Sequence, residues 1–142
     1  MNRRPLLAMA VLGMLVAAAG CASGARIVRM TSNPGVPAAQ GTVKSSPTGN
    51  GSMSIEVEVH HLVVPGRAAV GATSYVVWAR ERGEKAAQNL GELRMDEERC
   101  GTLKTVTPLH DFDLFITAEP SLRAEAPTSQ QLFTVSLQRP AG

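Results

Sequence analysis

The chain has 142 residues, with 14 Lys and Arg against 12 Asp and Glu, 44% hydrophobic residues and 4% aromatic ones. That length suits one domain, and the balance excludes a disordered polyelectrolyte, a collagen-like chain and a disulfide-dense miniprotein. Only one apolar stretch approaches spanning length, which argues against a polytopic membrane protein.

That stretch is at the start. Arg3 and Arg4 precede an uncharged apolar run over residues 5–20, PLLAMAVLGMLVAAAG. The run matches a signal-peptide core and falls short of the roughly 20 residues of a spanning helix. Small residues, Ala18-Ala19-Gly20, then lead into Cys21. A signal peptidase needs small side chains there because the segment lies extended in a narrow site. On the residues alone, Cys21 is either an anchor or incidental to an ordinary signal peptide.

The arrangement resembles the lipobox of bacterial lipoproteins, although Ala18 stands where leucine is usual. The resemblance implies a signal peptide over 1–20 and acylation of Cys21, palmitate included. One acyl chain alone anchors a protein only marginally, and the several chains of that family anchor it stably. Ala22, rather than Asp, after the cysteine implies the outer membrane, facing the periplasm, in Gram-negative members. Loss of Arg3 and Arg4 lowers the basic count from 14 to 12, equal to the 12 acidic residues. A chain of zero net charge without a basic stripe is not expected to bind nucleic acid.

Residues 21–50 are rich in Gly, Ser, Thr, Pro and Ala, the composition of a linker tethered at Cys21. Two short strand signals lie inside it, Arg26–Met30 and Gly41–Lys44. Thr48-Gly49-Asn50-Gly51 marks a turn. From there to residue 140 the sequence reads as one β domain. Met53, Ile55, Val57 and Val59 alternate with Ser54, Glu56, Glu58 and His60, the period of a half-buried strand. Ser74 to Ala79 is apolar on both phases and predicts a central strand. Arg80 to Ala87 reads as a charged turn or short solvated helix. Further strands are predicted over Asn89–Met95, Thr102–Thr107, Asp113–Ala118 and Phe133–Gln138. Short strands at regular spacing predict an all-β fold, a single small antiparallel β-sandwich of Ig-like kind. Ile55, Val57, Val59, Tyr75, Trp78, Leu93, Leu114, Ile116, Phe133 and Val135 are its expected core.

The order of motifs from Ile55 to Leu137 carries a second resemblance. Tyr75-Val76-Val77-Trp78 is followed by Asn89-Leu90-Gly91-Glu92-Leu93 and then by Phe112 to Pro120, FDLFITAEP. The pattern of tyrosine-x-x-tryptophan, a leucine-glycine strand and a threonine-x-glutamate-proline strand end is similar to the extracytoplasmic β-sandwich of anti-sigma-K-type factors. It implies the fold. It does not imply sigma binding, since such factors also need a cytoplasmic region and a spanning helix that the sequence does not supply.

Chemistry-bearing residues are few. His60, His61 and His110 are the metal-ligand candidates. His60 and His61 should face opposite sides of a strand, so only one could join His110. Cys100 has no partner in the chain if Cys21 is lipidated. Three acidic neighbours, Asp96, Glu97 and Glu98, disfavour its thiolate. No Gly-x-Ser-x-Gly elbow, phosphate loop, His-Glu-x-x-His or Cys-x-x-Cys occurs. The sequence therefore predicts a non-catalytic binding module without a cofactor, tethered to the envelope by lipid and serving an envelope protein partner. The alternative is a periplasmic metal-handling or redox protein using His60 or His61, His110 and Cys100. The loops after Leu62 and after Pro120, the longest, are the expected contact surface.

Overall fold

Alternation of apolar and polar residues places the strand over Met53–His60. The computed structural model describes residues 24–139, so the signal segment and Cys21 lie outside the described residues. Among the described residues nine strands run in chain order: β1 Arg26–Arg29, β2 Thr31–Ser32, β3 Gln40–Pro47, β4 Met53–His60, β5 Ser74–Glu81, β6 Gln88–Met95, β7 Gly101–Thr107, β8 Asp111–Glu119 and β9 Phe133–Gln138. One turn of helix, α1 Pro65–Ala68, precedes β5. Among the described residues no helix is long and apolar enough to cross a membrane.

The strands form one antiparallel sheet in the order β1-β3-β4-β7-β6-β5-β8-β9-β2. The two outermost strands, β1 and β2, are separated in the chain only by Met30. They tie the sheet's opposite edges together, so it is nearly closed. The other corner is made by β6. Its residues 88–93 pair with β5 and Arg94–Met95 pair with β7. A bulge sits opposite Val77 and Trp78, and Gly91 beside it has φ +135°. A bulge of this kind bends and twists a strand, here from one half of the fold into the other. The result is an all-β antiparallel sandwich with a barrel-like closure.

The main core lies inside. Met53, Ile55, Val57 and Val59 of β4 face Tyr75, Val77 and Ala79 of β5 and Phe112, Leu114 and Ile116 of β8, all essentially inaccessible. The other phase of β5 and β8 is buried as well. Val76, Trp78 and Phe115 form a separate cluster on the outer face, with Ala87 and Ala124 packed on it. The segment after Pro120 returns over that face, where Asn89 Nδ2 donates to the carbonyls of Leu122 and Ala124, both at 3.0 Å. The two-phase apolar pattern of β5 thus has its physical reason: two layers need it.

Several expectations change. Residues 21–50 are not a linker throughout: β3 pairs with β4 from Gln40↔His60 to Pro47↔Met53, and β1 pairs with β3. The sheet therefore begins at Arg26 and not at residue 51. Its inward residues there, Gly41, Val43 and Ser45, include only one large apolar side chain, which is why the composition reads as linker. Trp78 belongs to the outer cluster and not to the main core, and Val135 is only half-buried. Arg80 and Glu81 extend β5, and the reversal after them turns at Gly83 without a helix.

Candidate functional site

Strand direction sorts the connections into two ends. The described chain starts beside the turn after β3, where a Cβ on Gly24 would lie 3.2 Å from the Pro47 ring. Arg139 and His110 are at that same end, both against the Gly51 carbonyl. The opposite end gathers residues 61–73, 96–100 and 120–132. Leu62 N–H donates to the Arg99 carbonyl, and Tyr75 Oη donates to the Val63 carbonyl at 2.6 Å. Burial pushes the Tyr75 phenol up to about 12. Val64 is 59% exposed on this end and Val70 is fully exposed.

The chemistry-bearing cluster is also at this end. The β4–β7 register, with Val59 opposite Gly101, brings His60 to Cys100. His60 Nδ1 lies 3.1 Å from Cys100 Sγ, and its Nε2 lies 2.5 Å from Glu58 Oε1. Glu58 and His60 are two apart on one strand and so share a face. Asp96 Oδ1 accepts the backbone N–H groups of Cys100 and Glu98, each at 2.9 Å, and fixes the turn that presents the thiol.

A thiol, an imidazole and a carboxylate in line can form an activated nucleophile. The field here works against that. Partial burial, then Asp96, Glu98 and Glu58, push the Cys100 thiol above its ordinary pKa. Activated cysteines sit in electropositive surroundings, and these are electronegative.

The three-residue set of the metal reading is not assembled. His60 and Cys100 meet, but His110 is at the far end, with Nε2 2.8 Å from the Gly51 carbonyl. His61 departs from strand geometry with φ +58°, so the alternation expected to send the two histidines to opposite faces ends at His60. Their ring centroids are 6.5 Å apart. Among the described residues no group of three or more His, Cys, Asp or Glu side chains is arranged to hold a metal ion. Cys21 lies outside the described residues.

Three residues of the tyrosine-to-proline motif order, Trp78, Thr117 and Glu119, meet in one buried network. Trp78 Nε1 donates to Thr117 Oγ1 at 2.8 Å, and that hydroxyl donates to Glu119 Oε1. Glu119 is fully buried and also accepts from the backbone and hydroxyl of Thr128. Glu119 therefore clamps the segment after Pro120 to the sheet. That segment, expected as a free contact surface, is bound to its own sheet, and Leu122 is its exposed apolar residue.

No protein-family model matches this sequence, and no curated protein is significantly similar to it.

Proposed function

We propose that the protein is a lipid-anchored module of the bacterial cell envelope that binds another envelope protein and catalyses nothing. The anchor is Cys21, and the outer membrane facing the periplasm is its place. The sandwich is of the kind found in anti-sigma-K-type factors, without their regulation of sigma. The observation that supports this reading is the polarity of the fold. The described chain begins at one end of the sandwich, beside Pro47, and its long connection after β4 projects from the other. A module tethered at its first residues presents the far end to a partner. The exposed Val64 and Val70 on that end are apolar surface of the sort partners cover.

The test is site-specific photo-crosslinking in cells that make the full chain. A photoreactive residue at Val70 should give one dominant protein adduct. The same residue at Gly49, in the turn at the tethered end, should give none of that adduct. No adduct at Val70, or the same adduct from both positions, contradicts the proposal.

A further inference from the structure

The outer face of β5 and β8 carries a stack. The Trp78 and Phe115 rings have centroids 6.5 Å apart and planes 16° from parallel. The Arg80 guanidinium lies over Phe115, 4.8 Å from its centroid. The negative face of the ring holds the cation in place. Yet Arg80 Nε is buried without a hydrogen-bond partner, and among the described residues no ion pair uses Arg80.

A partner is close by. Asp113 stands directly opposite Arg80 in the β5–β8 register. Two residues along, Arg82 Nε and Asp111 Oδ1 close an ion pair at 3.0 Å. Arg80 and Asp113 do not. Asp113 instead uses Oδ1 to accept the Ser136 hydroxyl at 2.6 Å, which leaves its other oxygen for a ligand. Both charged side chains line one pocket of about 360 Å³, together with Phe115 and the hydroxyl-bearing Thr31 and Thr134. A guanidinium and a carboxylate held side by side, and not joined to each other, match a ligand carrying both charges in reverse.

We propose that this pocket binds a small zwitterion, a free α-amino acid or a short peptide with both termini free. The ligand carboxylate takes the open fork of Arg80, the geometry that guanidinium and carboxylate share. Its ammonium donates to Asp113, and an apolar side chain lies toward Phe115. Both charges of the ligand compete with direct pairing of Arg80 to Asp113, so the affinity is modest. The inference needs neither the lipid anchor nor the distal loops.

Trp78 is the only tryptophan in the chain, and its stacking on Phe115 makes its fluorescence a reporter of the pocket. The full chain in mild detergent is titrated with alanine and with alanyl-alanine, with calorimetry alongside. At least one should saturate with Kd on the order of 1 mM or tighter. Which of the two binds more tightly distinguishes an amino-acid site from a peptide site. The C-terminal amide and the N-acetyl form of the tighter ligand each lose one charge and should bind at least about tenfold more weakly. Arg80→Gln should abolish binding. Asp113→Asn should weaken the zwitterion and leave the N-acetyl form unchanged. Arg80→Lys keeps the charge and loses the fork, and it carries the test if Arg80→Gln fails to fold. The proposal is overturned if neither probe saturates, if the amide binds as well as the free acid, or if binding survives in the Arg80 variants.

Discussion

Glu119 has no cationic side chain in ion-pair contact among the described residues, and it is fully buried. Burial alone would raise its pKa. Hydrogen bonds from the Thr117 and Thr128 hydroxyls and from the backbone N–H groups of Thr128 and Ser129 outweigh burial, and the pKa lies below the usual carboxylate value. The sign of the pH effect follows. A carboxylate with a depressed folded pKa contributes stability above its unfolded pKa, about 4.3, and loses it as pH falls through the folded value. Glu119→Gln removes the charge and leaves one accepting oxygen for several donors. In urea unfolding at pH 7 it should lower stability by about 2 kcal/mol, typical of a charge-assisted buried hydrogen bond. The difference should persist to pH 5 and shrink below about pH 4. A difference that stays constant into acid would show that the carboxylate is not the group holding the segment after Pro120. Cys100 belongs to the same scale and points the other way. Its neighbours carry carboxylates that oppose ionisation, so the thiol remains a neutral contact for His60.

At the scale of the element, β6 decides whether the sheet closes. The change of pairing from β5 to β7 depends on the bulge at Gly91, whose φ of +135° disfavours any side chain. A Cβ there would also lie 3.3 Å from Leu103 Cδ1. Gly91→Ala should therefore destabilise the fold by about 1–3 kcal/mol, the scale of a strained backbone position, measured by urea unfolding. Stability equal to wild type would mean the corner is made elsewhere. β4 was legible because one of its faces is wet, and β5 because neither is. β3 showed only the short signal over Gly41–Lys44, for a packing reason. Its inward Gly41 leaves its space to Met30 and Phe133, whose atoms would lie 3.1 and 3.3 Å from a Cβ there. A strand that packs by absence of a side chain shows no hydrophobic period. Local spacing put Glu58 beside His60, but Cys100 is 40 residues away and only the β4–β7 register joins them. Arg80 and Asp113 were equally illegible as a pair, since their meeting rests on the β5–β8 register.

At the scale of the whole molecule, the strands that join the sheet's two edges also set its orientation. β1 and β2 are nearly continuous, and they carry the chain from the end beside Pro47 to the end that bears residues 61–73. Any tether at Cys21 therefore enters at the first end, leaving the exposed valines and the His60–Cys100 pair at the second. The proposed orientation rests on the tether at Cys21. Native mass spectrometry of the protein gently extracted from the membranes of its own cells tests it directly. The account predicts a 122-residue chain beginning at Cys21, heavier by a lipid increment and released with a bound protein. A chain that still begins at Met1, or one recovered from the soluble fraction without lipid, would contradict it.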